Sequence, residues 1–288
     1  MSQSEVCYFV DGIKQGVRAD GRSCDAMRPL NVELSVIPTA NGSCRVTSRA
    51  CDIYVAVKSE IGRPLQDRPN EGIINVSVEF GCSVLPRLQD FTGRQAAIEA
   101  DALSDVLAGH ISAMCISTLD KKQFCIQSGK ACWVLSIDVL VERIDGPLLD
   151  PISIGIRGAL MDLELPIVAP IEDTEGDRDA IPRIQLTESL WRLDLLQSSS
   201  ICVSVGIYAD GSISMVDLDR VEESIAKLKE NGMITVSVNH DGDCCGLHKF
   251  GVGSIEPSLI VDIVQGASAL GKDIVSMLVK LATATRQS

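Results

Sequence analysis

One run constrains this chain more than any other. Residues 132–144, CWVLSIDVLVERI, are almost continuously apolar and rich in β-branched side chains. Such a run reads as a strand covered on both faces, so other structure must be layered above and below it. Asp150-Pro151 follows, an N-cap and first-turn proline for a helix reaching about Asp162.

The rest of the chain supplies those layers. Val32–Ile37 alternates weakly, and Arg45–Val57 reads as two extended pieces bent near Arg49-Ala50, with turn residues Asn41-Gly42-Ser43 before them. Gly72–Phe80 puts Ile74, Val76, Val78 and Phe80 on one face of a strand. From Gly93 to Cys115 the period changes to 3.6, and Ile98, Ala102, Leu103, Val106, Leu107 and Ile111 form the expected buried stripe of a helix.

Residues 172–182, EDTEGDRDAIP, are acidic, aperiodic and broken by Gly and Pro, which reads as a linker between residues 1–171 and residues 183–288. Beyond it, Ile201–Tyr208, Ser212–Val216, Met233–Val238 and Leu247–Val252 read as strands, with a short helix over Asp219–Lys229. Helical spacing then runs from Glu256 to about Arg286, as one long helix or two broken at Gly266 and Gly271. The expectation is an α+β (α/β two-layer) protein made of two halves of similar content, an internal structural duplication.

Charge narrows the function. Lys+Arg number 26 against 39 Asp+Glu, a net charge of −13, which argues against a chain that holds nucleic acid by its own field. The first residues lack the basic start and apolar run of a signal peptide, and no stretch has the length of a membrane helix. Eleven cysteines, scattered apart from Cys244-Cys245 and without CxxC spacing, fit free thiols in a reducing compartment.

Four groups of residues have chemical potential. Arg18-Ala19-Asp20-Gly21-Arg22, with Arg28, could grip phosphates, or its arginines could pair with carboxylates elsewhere around an Asp-Gly turn. Asp219 with Glu222 three residues later reads as an acidic capping pair, and Glu223 adds a carboxylate to the same first helical turn. His240, Cys244, Cys245 and His248 lack zinc-knuckle spacing, and Asn239–Asp243 reads as a hairpin turn instead. His110 has no obvious Ser or Cys partner and reads as structural.

Taken in order, RADGR (Arg18–Arg22), Arg28, Lys58–Pro64, Pro69–Gly72 and CWVLSIDVLVERIDGPLLDPISIGIRGAL (Cys132–Leu160) resemble the RNase PH family, and within it the ring subunits of the RNA exosome. The resemblance spans nearly the whole chain. It implies an RNase PH-like fold of pseudo-duplicated ribosomal protein S5-type βαβ units, and six subunits or domains of that fold form a ring around a channel for single-stranded RNA. In active members inorganic phosphate attacks the terminal RNA phosphodiester and releases nucleoside diphosphates.

Against that pattern the phosphate-binding Gly-Ser/Thr-Arg element is replaced by Gly146-Pro147-Leu148-Leu149-Asp150. Pro147 has no N–H, the leucines offer neither hydroxyl nor guanidinium, and Asp150 would set a carboxylate at the helix start. Glu223 stands where active members carry an acidic residue. The implied reading is a non-catalytic subunit with degenerate-site positions Gly146, Asp150, Glu222 and Glu223, and with no catalytic residue, metal or cofactor. Arg87 and Arg94, in a strand-to-helix loop, would contact RNA phosphates in the channel. Implied partners are other RNase PH-like exosome ring subunits, S1/KH cap proteins, a separate hydrolytic nuclease and single-stranded RNA, in the nucleus, nucleolus and cytoplasm and not at a membrane. The competing enzyme reading is a phosphate-dependent 3′-to-5′ exoribonuclease, active alone or through a site shared with a neighbour. An unrelated small-molecule α/β enzyme is disfavoured because no Walker A or GxGxxG loop follows a strand.

Overall fold

The run that dominates the sequence forms β6 (Ala131–Arg143), paired antiparallel with β3 (Asp52–Gly62) on one side and parallel with β4 (Ile73–Phe80) on the other. A computed structural model describes residues 3–81, 84, 94–170, 184–194, 199–208, 211, 213–227, 232–251 and 254–287. In it β6 is not covered equally on both faces. Leu135, Ile137, Val139 and Val141 are fully buried, each worth about 1.5–3 kcal/mol relative to exposure, whereas Val134, Ser136, Asp138 and Leu140 are only half-buried. Asp138 explains the difference, since it pairs with Ser77 Oγ at 2.8 Å and Lys58 Nζ at 3.4 Å on the outer face.

The sheet is completed by β1 (Asn31–Leu34), β2 (Gly42–Thr47) and the short β5 (Cys125–Gln127), in the order β1-β2-β3-β6-β4 with β5 on β6. The expected bend near Arg49-Ala50 separates β2 from β3, while Gly42 and Ser43 belong to β2 instead of the turn before it. α1 (Gln3–Lys14) precedes the sheet. β4 and β6 are parallel, so the chain must cross over between them, and α2 (Arg94–Met114) does so. Its buried side is Ala100, Leu107, Ile111 and Met114. Ile98, Ala102 and Val106 face solvent, because aliphatic residues at helical spacing occupy two adjacent stripes and the sheet takes only one.

α3 (Leu149–Met161) is buried almost all round and lies between two sheets, packed on β2 and β3 with one side and on β9 with the other. Gly158 permits that approach, since a Cβ there would sit 2.6 Å from Cys44 Sγ. The second sheet is antiparallel, in the order β10 (Ile213–Val216), β9 (Ile201–Tyr208), β11 (Gly232–Val238), β12 (Cys244–Phe250). α4 (Arg220–Ala226) joins β10 to β11, and α5 (Pro257–Gln287) is one unbroken helix of 31 residues lying on β9 and β11. β12 starts at the cysteine pair, earlier than Leu247, because a bulge at Ser237/Val238 carries the ladder past it.

β7 (Glu164–Pro170) and β8 (Ile184–Arg192) pair with each other, although sequence pattern alone predicted neither. The expected linker over 172–182 lies outside the described residues. Leu193, Ile201, Cys202, Val275, Leu278 and Ala282 from the second half join the core built by β2, β3, β6 and α3, so a single apolar interior serves both sheets. The described cysteines are unbridged, with Cys44, Cys51, Cys115, Cys132 and Cys202 buried. No helix of the described residues is long and apolar enough to cross a membrane.

Candidate functional site

The arginines of the RADGR segment converge on the turn between β10 and α4. Arg18 is 3% exposed and grips Glu222 with two nitrogens, Nε to Oε1 at 2.9 Å and Nη2 to Oε2 at 2.6 Å. It also donates to the backbone carbonyls of Val216 at 3.0 Å and Asp217 at 2.9 Å. Burial alone would lower its pKa, but the Glu222 carboxylate outweighs that and raises it. Arg28 treats Asp217 likewise, at 2.6 and 3.0 Å, and Arg22 adds a third contact to Asp217 at 2.8 Å.

Asp217 is the hub of this cluster and was not singled out by sequence. Its backbone lies in the left-handed region at φ 49°, where an Asp is strained. Two guanidinium groups and the Arg28 N–H, at 2.6 Å, hold it there. No local spacing reveals such pairing, because partners lie 189–204 residues apart. The clue was chemical: three arginines close together in an acidic chain.

Asp219 caps α4 as expected. Its Oδ1 accepts from the Glu222 N–H at 2.7 Å, and Glu222 Oε2 accepts from the Asp219 N–H at 2.9 Å, a complete capping box. Burial raises the Asp219 pKa. Glu222 is therefore committed twice, to the helix end and to Arg18. Glu223 is half-buried and pairs with Lys227 Nζ at 2.7 Å.

The loop that replaces the phosphate element is pressed against this turn. Gly146 has φ 122°, and a Cβ there would collide with the carbonyl oxygen of Leu218. Arg28 bridges the two segments, donating to the Leu218 carbonyl at 2.8 Å and the Asp145 carbonyl at 3.2 Å. Between Arg28, Cys51, Pro147, Asp150 and Asp217 is a cavity of about 30 Å³, the room of about one water molecule.

Asp150 does not cap α3. The helix begins at Leu149 after Leu148, which offers no side-chain cap, and Asp150 sits inside the first turn. Its carboxylate turns away from its own helix to β9, accepting from Ser204 N at 2.8 Å and Ser204 Oγ at 2.6 Å. Burial pushes its pKa up to about 7 despite those bonds. It is a buried tie between α3 and the second sheet.

Arg87 lies outside the described residues. Arg94 begins α2, but its side chain is not among those described. The hairpin reading of 239–243 is borne out: Asn239 Oδ1 accepts from Asp241 N at 2.9 Å and Asp243 N at 2.8 Å, and Gly242 has φ 90°. His110 does have a partner, His248, with Nε2 to Nε2 at 3.1 Å and rings edge to face. Its Nδ1 lies 2.8 Å from the Val106 carbonyl, which can only accept. Nδ1 must then carry the hydrogen, so the neutral His110 accepts at Nε2 and His248 donates.

Comparison with known proteins agrees with this architecture. The 3′ exoribonuclease family, domain 1 (RNase PH), matches residues 26–166. Similar curated proteins include the exosome complex component Rrp42 of Methanopyrus kandleri, 30% identical over 91% of this chain and 91% of that protein, and that of Methanocella arvoryzae, 31% identical over 90% and 89%. The exosome complex component rrp45 of Schizosaccharomyces pombe is 24% identical over 94% and 87%. Among solved structures, an archaeal exosome core matches with TM-score 0.67 and 22% identity over 96% of both chains. The Archaeoglobus fulgidus exosome with RNA bound to the active site gives 0.68 and 22% over 95% and 97%.

Proposed function

The chain belongs to the RNase PH family of 3′ exoribonucleases, and from that premise we propose that it is a non-catalytic ring subunit of an RNA exosome. Its work is to form subunit interfaces and line the RNA channel during 3′-to-5′ processing, including rRNA maturation, and degradation. Relatives named as exosome components along nine-tenths of the chain support the ring. The absence of catalysis rests on one observation: Arg18, Arg22 and Arg28 spend their donors on Glu222, Asp217 and nearby carbonyls.

A phosphorolytic site must present unspent cationic and N–H donors to an anionic nucleophile beside an anionic backbone. Here Pro147 has no N–H, Glu222 is committed twice, and the cavity beside Gly146 has room for about one water. RNA contact then falls to Arg87 and Arg94 within a channel completed by more basic partners. The reading includes S1/KH cap proteins and a separate hydrolytic nuclease as partners, and the nucleus, nucleolus and cytoplasm as locations.

Two measurements test it. The assembly purified with this chain from its own cells should have the mass and composition of a ring of related subunits; a monomer that never copurifies with them overturns the ring. The purified chain should release no nucleoside diphosphate from single-stranded RNA with inorganic phosphate. Release abolished by Glu223→Gln would establish the enzyme reading instead.

A further inference from the structure

Beside the arginine cluster's turn, with Val216 shared between the two, α5 and the β9–β10 edge enclose an open groove of about 520 Å³. Its floor is apolar, with Val205 and Ile207 from β9 and Ile263 and Leu270 from α5. Its rim is acidic: Asp25, Asp262 and Asp273 all line it, are exposed, and pair with no cation among the described residues. Among the described residues no Lys or Arg lines the groove.

The spacing of the rim says what size of occupant it suits. Asp262 and Asp273 are eleven residues apart, 3 helical turns to within about 20°, so they stand on one edge of α5 about 16 Å apart. Between them on the same edge are Gly266 and Ala269. A Cβ at Gly266 would meet nothing within 4 Å. The helix thus presents carboxylates at both ends of a stretch left low by small residues, with apolar side chains below.

We propose that this groove is a docking site for a protein segment with apolar anchor side chains between basic residues. Charge complementarity selects the occupant. Three unpaired carboxylates around an apolar floor repel RNA and reward Lys or Arg at the ends of an apolar stretch. A carboxylate separation of about 16 Å exceeds a small organic cation and matches about eleven helical residues or five extended ones. The anchors supply the burial and the flanking cations fix the register.

The test uses the full chain and a fluorescein-labelled amphipathic peptide with two leucines four residues apart and an arginine at each end, compared with the same peptide ended by glutamates. The arginine peptide should bind about tenfold or more tightly than the glutamate one. Gly266→Met, which leaves charge unchanged and fills the groove from an open position, should weaken binding about tenfold, while Gly266→Ala should stay within about threefold. Asp262→Lys with Asp273→Lys should reverse the preference between the peptides. A control pair on α2, Asp101→Lys with Asp105→Lys, makes the same charge change at exposed positions and should leave binding within about twofold. The proposal is overturned if Gly266→Met binds like the unmodified chain, or if the α2 control loses as much as the α5 pair. Should Gly266→Met prove unfolded by circular dichroism, the contrast between the two aspartate pairs decides alone.

Discussion

Arg18 and Glu222 stand 204 residues apart in sequence and form a two-point ion pair with almost no solvent contact. Removing one charge strands the other in the interior, which costs about 3–5 kcal/mol. Glu222→Gln, which retains a capping side chain, should lower the free energy of urea unfolding by about that much. Arg18→Met together with Glu222→Gln should recover part of the loss. A single-variant cost below about 1 kcal/mol, the range of exposed pairs, would show that the pair is solvated.

Gly146 should tolerate no side chain. Both its φ of 122° and the Leu218 carbonyl oppose a Cβ, so Gly146→Ala should lose about 2 kcal/mol or more in thermal or urea unfolding. Gly109, in α2, is the counterpart: a Cβ there meets nothing within 4 Å, and Gly109→Ala should gain up to about 1 kcal/mol from helix propensity. Equal responses at the two sites would refute the close approach of the Gly146 loop to the α4 turn.

Asp150 gives stability a particular pH dependence. Its folded pKa, about 7, lies above the unfolded value of 3.8. The contribution is fully present below pH 3.8 and is lost as pH rises through about 7. Asp150→Asn, which can still bond Ser204, should therefore gain stability relative to the unmodified chain between pH 5 and pH 8. Parallel denaturation curves for the two proteins at those pH values would contradict the buried carboxyl.

His248 has the opposite sign. Burial, then the neighbouring His110, lowers its pKa from 6.5. Its contribution is complete above pH 6.5 and falls as pH drops toward the folded pKa, because the unfolded chain takes up the proton first. His248→Gln should reduce the loss of stability between pH 7.5 and pH 5.5, measured as the shift in urea midpoint.

Much of the fold was legible where burial leaves one solution. The expected strand Ile201–Tyr208 has the bounds of β9, every residue of which is buried. Asp219 and Glu222 at capping-box spacing marked the start of α4. Long-range pairing was not legible: β7 and β8 hold each other across the acidic 172–182 stretch, so neither carries a strong local pattern. α1 was missed although Phe9, Val10 and Ile13 keep helical spacing, because its apolar face packs on Tyr208, Leu218 and Ile225, far away in sequence. The arginine cluster showed its residue types but not its partners, and the burial of Asp150 depended on Ser204, 54 residues on.

The place of α3 between the two sheets has a consequence during synthesis. The helix ends at Met161 and β9, which covers its second side, begins at Ile201. At about 5–20 residues per second a ribosome needs about 2–8 s to make the intervening 39 residues. For that interval the nascent chain presents one apolar side of α3 to its surroundings, and that side is where a holdase chaperone would first find it.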